Sequence, residues 1–424
     1  MSKTLLIFCD GTGMDGNLSV HNFVPQSTEG GVIRENSDIP AMIPSQTPGD
    51  VNENNQYPTN IIRLARSVKS QTANGKKQIV FYQSGVGSDA DFTGVSVVGN
   101  LMLRDYIRSP ASKIRDAYAF LAQNFEEGDE ICIFGGAYTA RKLSGLIDRI
   151  GLLARQNLGQ FFVIWSQLVD HKTPNIPSNT RHPRIKCVGV WDTVGSVDST
   201  FDALAIKDAS LPAKVDIALH ALAFHENREK FLPTLWTTPQ SELAPNQTLK
   251  QVWFPGAHSD VGGGYERREL ADIALFWMVG EVKSFIELDL EFLRSTRQHN
   301  PEPWGTSQPH NSYMESLIAM RILVGVKTRL EDGLITGVST LHQSLALSPQ
   351  VLKSPDDMST TSKLKALVSG FKLKYAPLNE FETYCKDNWN TLMDTSDPPI
   401  FGSPRNVIRP PVYWVRGIGL LLVL

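Results

Sequence analysis

The chain has little cysteine, and its cysteines are not arranged as a metal site or a redox pair. Only four occur in 424 residues, widely spaced and without a C-x-x-C pair. Three lie in apolar, strand-like runs, which predicts buried free thiols and fits a reducing compartment. The first apolar run is too short for a secretory signal and the C-terminal GIGLLLVL is too short for a membrane span, so we expect a cytoplasmic protein.

The chain also lacks an excess of charge of either sign. Its net charge is -3 and its pI is near 6.3, so electrostatics give no reason to expect nucleic acid as a partner. A hydrophobic content of 41% and a charged content of 20% are typical of a globular protein. The length allows one large α/β domain with an appendage, or two domains.

Strand-like runs alternate with helical segments over residues 1–290. This alternation predicts an α/β fold with a mostly parallel sheet and helices on both faces, interrupted by a polar loop insertion at 13–56. The segment IALHALAFHENREKF is predicted to be helical, with His220 and His225 in structural roles. Proline-rich polar stretches in 291–424 predict a C-terminal cap or lid, without further core sheet.

A short strand runs straight into a helix at EICIFGGAYTARKLSGL, which begins at Glu130. At such a junction α/β hydrolases hold their nucleophile, on a strained elbow of pattern G-x-S-x-G. Here Gly135 and Gly136 are adjacent, with no Ser, Cys or Asp between them. Tyr138 and Ser144 lie in the following helix rather than on an elbow, so we do not expect either to replace the nucleophile.

Asp192 and His258 each follow a predicted buried strand, in VGVWDTVGS and FPGAHSDVGGGY. Ligands of open α/β sheets bind at the carboxyl ends of strands, and the order junction, Asp, His is that of α/β hydrolases. The two residues are therefore candidates for the acid and base of a triad, and we expect them to be hydrogen-bonded. The alternative is that Asp192 caps a turn and His258 is an ordinary loop residue.

Two further motifs allow more than one interpretation. His258 and Asp260 could bind a metal ion, but the chain offers no cluster of partner ligands, so we predict no metal and no other cofactor. Asp10, Gly11 and Thr12 follow the first strand. Their N–H groups, near Gly136, could stabilise an oxyanion, or Asp10 could simply bond its own backbone in a turn.

Seven segments together resemble one known family, the catalytic domain of the bacterial type VI secretion phospholipase effectors and their fungal relatives. They are CDGTG, PTNIIRL, YQSGVG, GAYTARKLSGLI, VGVWDTVGS, HENREKFLPTLW and VWFPGAHSDVGGGY, in the family's order over Lys3 to Val282. The resemblance implies an α/β-hydrolase fold and a Ser-Asp-His triad that cleaves ester bonds, in the effectors those of phospholipids. It also implies that Asp192 is the triad acid and His258 the base.

The chain departs from this family at the nucleophile. The family pattern G-F-S-R-G-A-Y-T-A-R is represented by G-G-A-Y-T-A-R, as if F-S-R were missing between Gly135 and Gly136. A natural deletion and a splice-boundary error would both produce this sequence.

We expect the framework of a lipase or carboxylesterase, whose substrates would be lipid or other carboxylic esters and which would contact a membrane surface transiently. Without its serine we expect this chain to be inactive. The alternative is a lipid-binding or scaffold protein that retained the pocket. A shortened elbow further predicts a positive φ at Gly135 or Gly136.

Overall fold

The computed structural model describes the parts of the chain on which the fold and the site are built. These parts are residues 2–11, 55–85, 102–136, 138–194, 209–316, 325–330, 333–336, 339–349, 374–390 and 405–406. Nearly all of the predicted loop insertion at 13–56 and the residue Thr12 lie outside them.

The described strands form an eight-stranded parallel sheet and a separate two-stranded antiparallel ribbon. The strands are β1 (Lys3–Cys9), β2 (Asn55–Gln56), β3 (Lys77–Gln83), β4 (Glu130–Gly135), β5 (Ile185–Trp191), β6 (Val215–Ala223), β7 (Thr248–Phe254), β8 (Thr340–Leu341), β9 (Lys374–Tyr375) and β10 (Arg405–Asn406). The order in the sheet is β3-β1-β4-β5-β6-β7-β8-β9, and β2 pairs with β10. The chain moves outward from β1 to β3 and then crosses back to β4, so a crevice is expected between the carboxyl ends of β1 and β4.

Nine α-helices lie in the described residues. They are α1 (Asn60–Ser67), α2 (Met102–Asn124), α3 (Tyr138–Ile150), α4 (Phe161–Val169), α5 (His258–Gly262), α6 (Glu269–Val282), α7 (Leu290–Ser295), α8 (Ser312–Glu315) and α9 (Glu380–Asp387). The helix predicted at PTNIIRLARSV is α1, whose N-cap Thr59 accepts a hydrogen bond from the Ile62 N–H. Among the described residues no helix is both long and apolar enough to cross a membrane.

The two faces of the sheet are covered by different helices. Alternate residues of each central strand enter opposite cores, as Leu5 and Leu6 of β1 show. One core contains residues of α2, α3 and α4, and the other contains residues of α1, α6, α7 and α9. This two-sided burial explains why the strands read as continuous apolar runs. The predicted α/β class, with helices on both faces of a parallel sheet, is confirmed.

The prediction of buried free thiols is confirmed for all four cysteines. Cys9, Cys132 and Cys187 belong to neighbouring strands, and Cys385 belongs to α9. Burial raises the pKa of the Cys9 thiol to about 12, although a hydrogen bond from Gln83 opposes this shift. These thiols are therefore packing residues and not nucleophiles at neutral pH.

The segment around His220 was predicted to be helical, and this prediction is wrong. Its first part, up to Ala223, belongs to β6, which lies between β5 and β7, and both histidines of the segment are buried. An apolar run rich in Ala and Leu does not distinguish a buried strand from a helix, and here strand pairing decides. The structural role expected for the histidines is consistent with their contacts: His220 Nε2 accepts from the Thr193 N–H at 3.0 Å, and His225 Nδ1 accepts from the Gly256 N–H at 2.9 Å.

The expected absence of core sheet beyond residue 290 is also wrong. Strands β8 and β9 extend the main sheet beyond β7, and α9 packs on α6. The Phe276 ring of α6 meets Phe381 and Trp389 edge-on, with ring centroids 5.8 and 6.3 Å apart. The described C-terminal residues therefore share the core of the preceding ones. The boundary at 290 stays a prediction.

Candidate active site

Asp192 is the first residue after β5, and its backbone is held against β6. Its N–H donates to the Ala221 carbonyl oxygen at 2.6 Å, and its Oδ1 accepts from the Ala223 N–H at 2.9 Å. The residue is fully buried and has a φ of 40°, a left-handed conformation that few residues other than glycine adopt. These bonds hold a strained backbone and turn the carboxylate toward the loop that follows β7.

His258 is the first residue of α5, and its ring meets this carboxylate. Nδ1 lies 2.8 Å from Asp192 Oδ2, so the predicted hydrogen bond is confirmed. The His258 N–H donates to Glu226 Oε2 at 3.1 Å, and the ring packs edge-on against Phe231. With Nδ1–H donated to the carboxylate, Nε2 carries the lone pair. Within the described part of the chain nothing hydrogen-bonds Nε2.

Arg329 is a third member of this cluster, and sequence reasoning missed it. Its guanidinium donates to Asp192 Oδ1 at 3.2 Å and to Oδ2 at 3.0 Å, and it also donates to the Phe231 carbonyl oxygen. Burial alone would raise the pKa of Asp192, but the Arg329 charge and the His258 hydrogen bond outweigh it and hold the pKa well below its usual range. No motif in GVKTRLEDG marks Arg329, so only the fold identifies it.

Asp10 follows β1 and is surrounded by donors. Its Oδ1 accepts from the Gly11 N–H and the Thr59 hydroxyl, both at 2.8 Å, and its Oδ2 accepts from the Tyr82 hydroxyl at 2.6 Å. Burial raises the pKa of Asp10, and these hydrogen bonds offset only part of the shift. Its own N–H donates to the Gln83 carbonyl oxygen. The turn in which Asp10 bonds its neighbouring backbone, one of the two alternatives, is present.

The predicted positive φ at Gly135 or Gly136 is wrong, because neither residue lies in the left-handed region. Close packing favours glycine at 136: a Cβ there would lie 3.2 Å from both Gly11 Cα and Ile61 Cδ1. The next residue, Ala137, lies outside the described residues. The account of this junction as a shortened elbow is therefore wrong in its conformation, and the missing triplet is supported by the sequence motif alone.

The candidate groups lie at one edge of the sheet. Gly136 donates its N–H to the Cys9 carbonyl oxygen, and it packs against Gly11. The residue that follows α5, Gly263, pairs with Thr59, whose hydroxyl donates to Asp10. Gly263 has a φ of 84°, and a Cβ there would clash with the Thr59 backbone, so the glycine run allows α5 to meet the start of α1.

A second Asp–His pair lies on the other side of α5. His310 Nδ1 is 2.6 Å from Asp260 Oδ1, while Asp260 Oδ2 accepts from the N–H groups of Ala257 and His310. The His310 ring stacks on Tyr265 with centroids 3.8 Å apart. Asp260 is thus committed to hydrogen bonds that hold α5. In the described residues no three His, Cys, Asp or Glu side chains are grouped to bind a metal ion.

Other hydroxyls in the region are engaged in structural bonds. Ser144 lies within α3, is buried, and donates to the Arg141 carbonyl oxygen at 2.8 Å. Ser84 follows β3, and its oxygen lies 2.9 Å from Lys113 Nζ. Neither serine sits on a strand-to-helix elbow.

The match to a family model agrees with the motifs. Residues 45–281 match the family described as the T6SS phospholipase effector Tle1-like catalytic domain, and this match covers more than half of the chain. The chain belongs to this family. Both Asp192 and His258 lie inside the matched region of the Tle1-like domain, whereas Asp10 precedes it and Arg329 follows it.

Individual relatives are distant from this Tle1-like chain. An uncharacterized protein of Saccharomyces cerevisiae, YEL023C, is 26% identical over 212 residues, which are 42% of this chain and 30% of the yeast protein. The structure of the Tle1 effector bound to the VgrG spike from the type 6 secretion system has 17% identity and a TM-score of 0.35, over 63% of this chain and 52% of that one. An uncharacterized protein from Pseudomonas aeruginosa has 14% identity and a TM-score of 0.35, over 99% and 66%. The match thus spans less than a third of the yeast protein.

Proposed function

We propose that this chain is the framework of a lipase-type ester hydrolase in which Asp192 and His258 are the acid and the base of a Ser-Asp-His triad. The observation that carries the proposal is the 2.8 Å hydrogen bond from His258 Nδ1 to a buried carboxylate, with Nε2 left for a nucleophile. Membership of a phospholipase effector family supports lipid carboxylic esters as the substrate class. The chain itself carries no nucleophile at the junction of β4 and α3.

The chemistry assigned to the pair follows from its geometry. A serine at the junction would attack the ester carbonyl carbon while its proton moves to His258 Nε2. The same proton then passes to the leaving alcohol as the ester C–O bond breaks, and water releases the acyl group by the reverse proton path. Asp192 would hold the ring in the tautomer with Nδ1 protonated and stabilise the imidazolium charge.

The oxyanion site belongs to the same proposal. Asp10, Gly11 and Gly136 border the junction, and together with Thr12 they are our candidates for its donors. In the described conformation the Asp10, Gly11 and Gly136 N–H groups donate to Gln83, Asp10 and Cys9 respectively. In an elbow of the family's length, the Gly136 N–H would have to give up its hydrogen bond to the Cys9 carbonyl oxygen, because Gly136 now packs directly against Gly11.

The test is to restore the elbow and vary only the nucleophile. One variant carries Phe-Ser-Arg inserted between Gly135 and Gly136, and its matched control carries Phe-Ala-Arg at the same place. We expect the serine insertion to hydrolyse short acyl esters and phospholipid vesicles, and the alanine insertion to be slower by about four to six orders of magnitude. His258→Gln in the serine background should remove the rate, and thermal unfolding shows whether each variant is folded.

One result would contradict the proposal, and two others would change it. A folded serine insertion that leaves every ester intact contradicts the hydrolase framework. If, in addition, the unmodified chain binds anionic phospholipid vesicles, the lipid-binding alternative is favoured. The missing nucleophile is the observation that supports this alternative. Substantial hydrolysis by the unmodified chain that depends on His258 would reveal another nucleophile.

A further inference from the structure

Arg329 occupies an unusual place for a charged side chain. It is fully buried, and its two terminal nitrogens approach the two carboxylate oxygens of Asp192 at 3.2 and 3.0 Å. This forked arrangement matches the planar guanidinium to the carboxylate. A buried ion pair contributes little net stability compared with apolar packing, so stability alone does not account for it.

The backbone around Arg329 is fixed to the strand-end loop beside the site. Arg228 and Val326 form an antiparallel bridge, and the Lys327 N–H donates to the Asn227 carbonyl oxygen at 2.9 Å. The Glu229 N–H donates to the Gly325 carbonyl oxygen at 3.2 Å. The segment 325–330 therefore runs along the loop that follows β6. This backbone pairing places the Arg329 guanidinium at Asp192, although Arg329 follows the family-matched region, which ends at residue 281.

We propose that Arg329 is a positioning residue that fixes Asp192 as a carboxylate and, through it, weakens the hold of Asp192 on the His258 proton. This inference rests on the proposed role of the Asp192–His258 pair. Asp192 accepts two bonds from Arg329, one from the Ala223 N–H and one from His258, so its oxygens are fully occupied. Because part of its negative charge is balanced by Arg329, the carboxylate attracts the His258 imidazolium less strongly.

Other charged or titratable groups near Asp192 do not replace Arg329. His220 is buried beside Arg141, and burial first and then that charge lower its pKa to about 3, so it stays neutral. Glu226 carries a negative charge near His258 but is paired with Arg228 through both carboxylate oxygens. The charged or titratable groups that face the pair in the described residues are His220, Glu226, Arg228 and Arg329.

The consequence for the base is directional. Arg329 offsets part of the attraction between the Asp192 carboxylate and an imidazolium at His258, which favours the neutral ring that a nucleophile needs. Without Arg329, the buried negative charge of Asp192 can be neutralised only by a proton bound to the Asp192–His258 pair. The pKa of the pair must then rise.

The test uses NMR titration of the His258 ring in the unmodified chain, so it needs no catalysis. We expect Arg329→Gln to raise the midpoint by about one pH unit or more, and Arg329→Lys, which keeps the charge, to shift it far less. The matched control is Arg181→Gln, since Arg181 precedes β5 and its hydrogen bonds within the described residues go to main-chain oxygens. This control should leave the His258 titration unchanged even if it lowers the melting temperature.

The proposal is overturned if Arg329→Gln lowers the melting temperature but leaves the His258 midpoint in place, because the role is then structural. If Arg329→Gln does not fold, NMR titration of the Asp192 carboxyl carbon in the unmodified chain provides the test. The carboxylate should remain ionised at pH values below the ordinary Asp pKa of about 3.9, and a midpoint at or above that value contradicts the proposal. An inert serine insertion with a shifted His258 midpoint would refute the hydrolase proposal alone.

Discussion

Gly189 in β5 shows how closely the strands under the site are packed. A Cβ on this residue would lie 2.6 Å from Phe134 Cδ1 in β4 and 3.0 Å from Met278 Sδ in α6. Phe134 itself stacks on Phe8 of β1 with ring centroids 5.2 Å apart. The absence of a side chain at 189, three residues before Asp192, therefore makes room in β5 for the Phe134 ring of the neighbouring strand.

We predict that Gly189→Ala lowers the free energy of unfolding by about 1–3 kcal/mol, because the added methyl group overpacks a buried ring. Gly159→Ala is the matched control, since a Cβ there meets nothing within 4 Å and the residue is exposed. Urea denaturation of both variants measures the difference. Equal stability of the two variants would show that the Phe134 layer relaxes freely.

The site residues also show what sequence can and cannot predict at this scale. Asp192 and His258 could be predicted because each follows a buried strand, and parallel strands end at one sheet edge. Arg329 could not, because its role depends on a backbone pairing between segments far apart in sequence. The conformation of Gly136 was misjudged because glycine also serves close packing, without a positive φ.

Among the elements, α5 is short, and it carries the proposed base at its first residue. Five residues give it little helical stability of its own. It is held by Asp260, which bonds the Ala257 N–H at its start and both the N–H and the ring of His310. The position of His258 thus depends on a contact with a residue outside the family-matched region.

This contact predicts a pH dependence of stability. Burial opposes the charge on His310, but the bond to Asp260, helped by Glu315 and Glu269, prevails and raises its pKa. A folded state with a raised pKa binds more protons, so the stabilisation is complete below the unfolded value of about 6.5 and is lost as pH rises through the folded pKa. The loss of unfolding free energy in His310→Ala should therefore be larger at pH 5.5 than at pH 8.5.

Chemical denaturation at the two pH values measures this difference. Asp260→Asn should erase the same pH-dependent part, because the partner charge is gone, whereas any stacking of His310 on Tyr265 is retained. Parallel pH profiles for the original chain and His310→Ala would contradict the assignment.

At the scale of the whole molecule, the described residues beyond 290 pack into the same core as the described residues before them. The α/β class could be predicted because strands buried on both faces read as apolar runs, but β8 and β9 have only two residues each and leave no such pattern. Phe381 and Trp389 cover Phe276, and Arg329 pairs with Asp192. The sequence between these contacts is proline-rich and polar, which favoured a separate cap.

We therefore predict that a chain ending at residue 290 loses its cooperative unfolding transition or melts at a much lower temperature. It would expose the apolar surface of α6 and leave the Asp192 carboxylate without its buried partner. Calorimetry of the truncated and full chains tests this expectation. A truncated chain with the full melting temperature would instead support an independent domain at 1–290.

The most direct test of the central claim is to trap the nucleophile rather than to find its substrate. A fluorophosphonate probe labels an activated serine whatever the natural ester, and mass spectrometry locates the label. With Phe-Ser-Arg inserted between Gly135 and Gly136, we predict rapid labelling of the inserted serine, and its loss in the same background with His258→Gln or Asp192→Asn. A folded insertion variant that stays unlabelled, or is labelled equally well without His258, would contradict the assignment of Asp192 and His258 as the acid and base of a hydrolase.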